Sequence, residues 1–249
     1  MLLTNSSRSI RKSEKQLRNK ESYMVKQDLY DKSTIRLFDA ATEGGLKAGE
    51  IGLVTSKKGL GKTSVLVQFG MDTLLQDKQL VHVTFDLHSS NVISWYDGIF
   101  TELAKKKNVG NAQELKESIV SKRTILNFSL DNFSLAKVVN TLNALKAGGI
   151  AVAGVVLDGI DFAKVSEDDV KAVADYAKKE NVTVWGASTA DGDKLSDSVP
   201  ANLEGYFSAV LHLNQKADSV GVDVLKIHDK KDVAAGLKLD TKTLLITKA

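Results

Sequence analysis

The most constraining feature of this sequence is an eight-residue segment, Ser56-Lys57-Lys58-Gly59-Leu60-Gly61-Lys62-Thr63. It follows an apolar run at 51–54 and precedes a stretch with helical spacing at 64–76. Glycines let a backbone curl so that successive N–H groups face phosphate oxygens, and a following helix directs its positive end at the same anion. The segment therefore predicts a nucleoside triphosphate site. The residues expected to bind the nucleotide are Ser56, Lys57, Lys58, Gly59, Leu60, Gly61, Lys62, Thr63 and Ser64.

Two side chains in this segment have predicted roles in the chemistry. Lys62 would neutralise the outer phosphates, and the Thr63 hydroxyl would hold Mg²⁺. Ser56 departs from the usual pattern, which has glycine at this position. Serine keeps the backbone N–H but restricts φ, so we expect the loop to form and to fit phosphate less freely.

Composition favours one large α/β domain. The chain has 249 residues, of which 43% are hydrophobic and 26% charged, as in ordinary globular proteins. No apolar run approaches the ~20 residues that span a membrane, and the basic N-terminus lacks the apolar core of a signal peptide. We therefore expect a cytoplasmic protein without a membrane partner.

Several kinds of site are excluded by residue counts. The chain has no cysteine, which excludes disulfides, thiolate metal sites and a cysteine nucleophile. Its four histidines are scattered without zinc-ligand spacing, and its formal net charge of +3 is too small to indicate nucleic acid by itself.

Basic residues cluster in the first 33 residues, which we expect to form an arm before a single domain at 34–249. Low hydrophobicity and like charges favour a solvated, partly disordered leader. Apolar residues also recur at roughly helical spacing, at Ile10, Leu17, Met24 and Val25. This keeps open a helical arm that docks on a neighbouring subunit or contacts nucleic acid or an anionic surface.

The rest of the chain alternates β-branched runs with helical patterns. Strands are expected at 51–55, 80–85, 123–128, 151–157, 182–187 and 209–213, and helices at 64–76, 92–107, 135–146 and 167–180. Such alternation predicts βαβ units and a mostly parallel sheet. Three further strands, at 222–227, 237–239 and 244–247, have no intervening helix and should pair antiparallel at one edge.

Two acidic residues end predicted strands. Asp158 ends the apolar run 155–157 about a hundred residues after the glycine-rich segment, where a carboxylate would hold the Mg²⁺ shell through water. Asp86 follows Phe85 and could orient the water that attacks the γ-phosphate. A capping role at the helix that starts near Asn91 is the equal alternative for Asp86.

The aromatic residues in the predicted helices and strands are expected to have packing roles. Trp95, Tyr96 and Phe100 fall within an amphipathic helical pattern, which favours packing over base stacking. Trp185 lies in a predicted buried strand and is expected in the core.

The order of these motifs resembles the RecA-like ATPase core, in particular the branch with DnaB-type replicative helicases, KaiC and RadA. The similarity begins at Gly44-Gly45-Leu46-Lys47-Ala48-Gly49-Glu50 and continues through the glycine-rich segment and Thr84-Phe85-Asp86. Residues 125–131, the helix at 133–146, Gly148-Gly149 and the Asp158 strand follow in the DnaB order. The resemblance covers about residue 34 to the C-terminus.

The resemblance implies a RecA-like fold, ATP and Mg²⁺ as ligands, and a homo-oligomeric ring or filament. Lys62 and Thr63 would bind phosphate and Mg²⁺, Asp158 would be the metal-shell acid, and Asp86 would replace a catalytic glutamate. A Lys-x-Arg pair that reaches the neighbouring subunit's phosphate in the family is replaced by His228-Asp229-Lys230. Lysine lacks the planar fork of arginine, which predicts weaker transition-state contacts from Lys230.

Three functions are consistent with these features. The first is a slow Mg²⁺-dependent ATPase whose nucleotide state controls its assembly. The second is a degenerate nucleotide-binding module that acts through protein contacts, as the departures at Ser56, Asp86 and Lys230 suggest. The third is a DNA-dependent helicase-like motor, which the acidic loop at 191–197 disfavours.

Overall fold

The computed structural model describes residues 23–85, 88–107, 109, 112–129, 134–162 and 164–249. In this part of the chain the β-branched runs form a nine-stranded sheet. The strands are β1 Ile51–Ser56, β2 Gln79–Thr84, β3 Arg123–Asn127, β4 Val152–Ile160, β5 Thr183–Thr189, β6 Ala209–Gln215, β7 Val220–Ile227, β8 Lys230–Leu239 and β9 Ile246–Lys248.

Helices connect the first six strands. Residues 23–31 form α1. The others are α2 Ile35–Ala41, α3 Lys62–Leu75, α4 Ser89–Lys107, α5 Ala112–Val120, α6 Leu135–Ala147, α7 Glu167–Glu180 and the short α8 Leu195–Ser198, followed by a 3-10 turn at Glu204–Tyr206. No helix among the described residues is long and apolar enough to cross a membrane.

The strand order across the sheet is β3-β2-β4-β5-β1-β6-β7-β8-β9. Strands β1 to β6 pair in parallel, whereas β6 to β9 pair antiparallel. The expected α/β class, the mostly parallel sheet with flanking helices and the antiparallel C-terminal strands are therefore confirmed. Strand β1 lies near the centre, with β5 between it and β4.

Helices cover both faces of the parallel part of the sheet. One apolar core lies under α2, α3, α4 and α5, and the other lies under α6 and α7. Because side chains alternate along a strand, Val54 of β1 faces the α3 side and Leu53 faces the α7 side. Trp185 is buried as expected, with its ring stacked on Phe69 at a centroid distance of 3.8 Å.

Short helices were absent from the sequence-based expectation. The seven-residue α2 has no side-chain hydrogen bond at its N-cap Thr34, and α5 has only nine residues. Segments of this length show too few repeats of the helical period to stand out. Strand β8 also begins at Lys230, several residues before the expected strand at 237–239.

Helix α1 lies before the expected domain boundary at residue 34. It buries Leu29 in the core on the α3 side, and the Lys26 ammonium contacts Asp77 at 2.7 Å. The earlier part of the expected arm, residues 1–22, lies outside the described residues.

Candidate functional site

The candidate site lies where β1 and β4 end, at the carboxyl edge of the parallel sheet. Ligands in open α/β sheets bind at this edge, where helices on opposite sides of a strand diverge. Strand β5 separates β1 from β4, and its register pairs Ala187 with both Val54 and Asp158. Because Ala187 is small, a side chain from the α3 side can reach across β5 to Asp158.

The glycine-rich segment forms the turn from β1 into α3. Gly59 has φ of 88° and Gly61 has φ of 99°, both in the region that disfavours residues with a Cβ. A Cβ on Gly61 would also lie 2.7 Å from Leu239 Cδ2. Gly61 is the N-cap of α3, so the unpaired N–H groups of the first helical turn open toward the sheet edge.

The restricted φ range of serine does not disturb the backbone at Ser56. Ser56 is the last residue of β1, and its φ is not positive, so any L-residue fits there. The Ser56 side chain is buried, and its hydroxyl donates a hydrogen bond of 2.7 Å to the Lys57 carbonyl. The effect of serine at this position is therefore a hydroxyl group inside the turn.

The Lys62 ammonium folds back over this turn. It donates to the Ser56 carbonyl at 3.1 Å, to Ser56 Oγ at 3.3 Å and to the Lys57 carbonyl at 3.3 Å. Burial lowers the pKa of Lys62, the nearby Asp158 carboxylate opposes this by raising it, and Lys58 lowers it again. A partly buried cation held by neutral oxygens would be stabilised by an anion.

Thr63 and Asp158 meet directly. Thr63 Oγ1 donates a hydrogen bond of 2.8 Å to Asp158 Oδ2. Because the hydroxyl proton points at the carboxylate, the oxygen lone pairs of Thr63 point elsewhere and can face a cation. Asp158 itself is buried at the end of an otherwise apolar strand.

Ser64 has a different environment. Its hydroxyl donates to the Gly61 carbonyl at 2.9 Å and to the Leu244 carbonyl at 3.3 Å. The side chain therefore joins α3 to the C-terminal strands. Any contact of Ser64 with phosphate would come from its backbone N–H in the first turn of α3.

A cleft of about 650 Å³ opens beside these groups. Its lining includes polar residues, namely Lys58, Lys62, Thr63, Asp158 and Thr189, and apolar residues, namely Leu60, Trp95, Val220, Leu239 and Leu244. A volume of this size is typical of small-molecule sites. A lining with both positive charge and apolar side chains suits an amphipathic, anionic ligand.

Trp95 belongs to this cleft as well as to the core. Its ring is partly buried against the core on the α3 side, whereas Tyr96 and Phe100 are fully packed there. The expected packing role is correct for Tyr96 and Phe100. For Trp95 it is incomplete, because the helical pattern does not reveal that this turn of α4 borders the cleft.

Lys230 lies at the opposite edge of the sheet from the cleft. It pairs with Ile227, which pairs in turn with Ala209, the partner of Gly52 at the amino end of β1. The Lys230 ammonium forms an exposed ion pair with Glu43. Lys230 and Lys62 of one chain are therefore not in the same site, and only a second chain could bring them together.

Asp86, the expected water-orienting residue, lies outside the described residues. Its neighbour Phe85 is buried, and the Phe85 N–H bonds to the Asp158 carbonyl at 3.2 Å. The chain therefore leaves β2 beside Asp158.

The oxygen donors present fit Mg²⁺. Among the residues that the structure describes, no three His, Cys, Asp or Glu side chains form a metal-binding group. Mg²⁺ keeps several waters and commonly takes one or two protein ligands together with substrate phosphates. The Thr63 hydroxyl could supply one such ligand, and the adjacent Asp158 carboxylate could hold a water of the ion's shell.

His82 is a polar neighbour of the site that sequence reasoning missed. It lies in β2, fully buried, with Nε2 4.0 Å from Asp158 Oδ2. The strand pattern could have identified a histidine inside an apolar run. It could not have shown that β2 pairs with β4 and so places His82 near Asp158.

Comparison of the chain with protein-family models found no match, and comparison with curated proteins found none either. The functional interpretation therefore depends on the geometry of the cleft and on the motifs in the sequence.

Proposed function

We propose that this cleft binds ATP with Mg²⁺, and that the chain is a RecA-like, slow Mg²⁺-dependent ATPase whose nucleotide state controls its assembly. The observation that carries the proposal is the 2.8 Å contact between Thr63 and Asp158, made beside an ammonium folded into a glycine turn. Three groups therefore meet at the N-terminus of one helix: a hydroxyl that could bind a cation, a carboxylate and a lysine.

Phosphate binding follows from charge and backbone geometry. The triphosphate oxygens would replace the carbonyl and hydroxyl oxygens that Lys62 now contacts. An anion would also accept from the first N–H groups of α3 and interact with its positive end. The exposed Lys58 at the mouth of the cleft would add a second positive charge.

Mg²⁺, when bound, would neutralise charge that develops on the β- and γ-phosphates. Thr63 would offer its lone pairs to the ion while its hydroxyl proton remains hydrogen-bonded to Asp158. Asp158 would accept hydrogen bonds from water in the ion's shell, and its charge would favour the cation.

The RecA-like assignment is supported by the order of the motifs and by the sheet. The strand before the glycine-rich segment is central, and the strand with Asp158 lies two places away in the sheet. The Asp158 side chain is on the face of the sheet that α3 covers. Antiparallel strands extend the sheet beyond β6. These observations support the assignment by analogy of fold and motif, because proteins with one fold can have many functions.

Hydrolysis would proceed by in-line attack of water on the γ-phosphorus, which breaks the bond to the β,γ-bridging oxygen. Asp86 would orient the attacking water and accept its proton. Lys230 of a neighbouring chain would approach the γ-phosphate, as the family resemblance implies.

Titration with labelled ATP and ADP, with and without Mg²⁺, beside a phosphate-release assay, tests this proposal. Mg²⁺-dependent binding with turnover supports it. Failure to bind either nucleotide would contradict it.

A nucleotide-binding module without turnover is the second candidate. It is favoured by the buried Ser56 hydroxyl, which accepts from the Lys62 ammonium at 3.3 Å inside the turn and so competes for the charge that would stabilise the phosphates during hydrolysis. Binding of ATP without phosphate release in the same assay would favour this candidate over the ATPase.

A further inference from the structure

A buried polar chain leads from α4 to the carboxylate of the site. Tyr96 Oη lies 3.1 Å from His82 Nδ1, and His82 Nε2 lies 4.0 Å from Asp158 Oδ2. Within the part of the chain that the structure describes, His82 Nε2 has no hydrogen-bond partner. The imidazole is completely buried, with a relative exposure of 0%.

The register of the sheet fixes this arrangement. In the parallel pairing of β2 with β4, His82 is opposite Val156 and Thr84 is opposite Asp158. His82 and Asp158 both face the α3 side of the sheet, since Val156 belongs to that core. The imidazole therefore lies diagonally across from Asp158, on the interior side of its carboxylate.

The tautomer of His82 follows from its two neighbours. Burial raises the pKa of Tyr96 far above its usual value, so the phenol keeps its proton. If Tyr96 donates to Nδ1, Nε2 carries the proton and directs a positive N–H toward Asp158. The other tautomer would direct a lone pair at a carboxylate, which is repulsive.

We propose that His82 is a positioning residue for Asp158: its Nε2–H, fixed by the Tyr96 hydroxyl, orients the carboxylate that would hold the water shell of Mg²⁺. The inference depends on the proposed nucleotide site. A separation of 4.0 Å is too long for a direct hydrogen bond, so a small shift of either side chain or one bridging water completes the contact.

A packing role alone does not explain a histidine at this position. The preceding position on the same face of the strand is Leu80, an aliphatic residue buried in the core on the α3 side. A buried ring nitrogen without a partner destabilises a fold, and an aliphatic residue would avoid that loss. The polar atom is positioned instead toward the one carboxylate that the site requires.

The test measures Mg²⁺ dependence separately from nucleotide binding. A fluorescent ATP analogue is titrated against the wild type, His82→Leu and His82→Gln, first in EDTA and then at increasing Mg²⁺. In EDTA all three should bind equally. The Mg²⁺ concentration for half-maximal enhancement should rise about tenfold in His82→Leu, the lower end of the range for outer-shell partners of a metal site.

His82→Gln should restore the wild-type Mg²⁺ requirement to within about twofold, because its amide N–H replaces Nε2–H. Val83→Ala is the control for loss of packing in β2, since Val83 faces the α7 side, and its Mg²⁺ requirement should be unchanged.

If His82→Leu does not fold, His82→Gln and His82→Asn replace it. Only glutamine should then keep the wild-type requirement, because asparagine reaches toward Tyr96 instead.

Equal Mg²⁺ requirements for the wild type, His82→Leu and His82→Gln would overturn the inference and leave the nucleotide site intact. If His82→Leu does not fold, equal Mg²⁺ requirements for His82→Gln and His82→Asn would overturn the inference. Absence of nucleotide binding by the wild type would instead contradict the proposed function.

Discussion

Thr63 Oγ1 donates a 2.8 Å hydrogen bond to Asp158 Oδ2, although 95 residues separate them in the chain. The contact joins the start of α3 to the end of β4 across the intervening β5. It brings a hydroxyl and a carboxylate, both oxygen ligands that suit Mg²⁺, to the mouth of the cleft.

Asp158→Asn should spare ATP binding in EDTA and remove most of its enhancement by Mg²⁺. The amide keeps an oxygen that can accept from Thr63, but it loses the negative charge that favours the cation. We expect a reduction in Mg²⁺ affinity of roughly tenfold or more, as for other metal-site partners. Titration with a labelled ATP analogue measures this, with Asp161→Asn at a partly exposed position as control; an undiminished Mg²⁺ effect in Asp158→Asn would contradict the assignment.

Asp86 should control the rate of hydrolysis. Asp86→Glu lengthens the side chain by one methylene and should raise the rate by improving its reach to the attacking water, whereas Asp86→Ala should lower it, typically by a factor of about 100 or more for a general base. Single-turnover phosphate release measures both variants. Identical rates in the wild type and both variants would show that Asp86 has a capping role only.

Self-association should strengthen with ATP and Mg²⁺. Lys230 lies at the edge of the sheet opposite the cleft, where it pairs with Glu43, so it can meet a phosphate only in a neighbouring chain. A head-to-tail contact of this kind closes into a ring or grows as a filament. Light scattering should show larger assemblies with ATP.

Lys230→Ala should weaken this nucleotide effect more than Lys231→Ala, the matched control, which loses an exposed pair with Glu204. Deletion of residues 1–22 should also weaken association while retaining the described residues of α1. A monomeric mass at high protein concentration with and without ATP would contradict the assembly proposal.

The stability of the fold should depend on pH through Asp72. Burial raises the pKa of Asp72 to about 6, although Arg36 lowers it; Arg36 also pairs with Asp39, so one cation serves two carboxylates. A raised carboxyl pKa contributes stability that is present below the unfolded value of 3.8 and is lost as pH rises through about 6.

Urea unfolding of the wild type and Asp72→Asn at several pH values tests this effect. The stability of the wild type relative to the variant should fall by about 2 kcal/mol between pH 4.5 and pH 7.5. Titrating groups that do not interact with Asp72, including His82, cancel in this difference. Parallel pH curves for the two proteins would contradict the raised pKa.

The local pattern of the sequence was sufficient to predict most strands and the turn into α3. Strand β1 and helix α3 are adjacent in sequence, and Gly59 and Gly61 require a particular backbone, so neighbouring residues alone indicate their structure. Asp158 was predictable because it ends an apolar run. Boundaries differ by a few residues, since strand ends depend on pairing partners that local sequence does not specify.

The missed features depend on long-range pairing. His82 approaches Asp158 only because β2 pairs with β4, and Trp95 borders the cleft because α4 packs beside α3 and the C-terminal strands approach the same edge. Neither relationship is encoded in the spacing of residues along one element. The apolar wall of the cleft was missed for the same reason, because Leu239 and Leu244 lie far from Lys62 in sequence.

The most direct test of the central proposal is a calorimetric titration of ATP with Mg²⁺ into the wild type and Lys62→Ala, with the exposed Lys179→Ala on α7 as control. Lys62 contacts the glycine turn and not the apolar core, so the variant should fold and unfold like the wild type. The wild type and Lys179→Ala should bind ATP with equal affinity, and Lys62→Ala should bind it at least about tenfold more weakly, because it lacks a charge-assisted phosphate contact. Equal affinity in all three proteins, or no binding by the wild type, would contradict the assignment of this cleft as a nucleotide site.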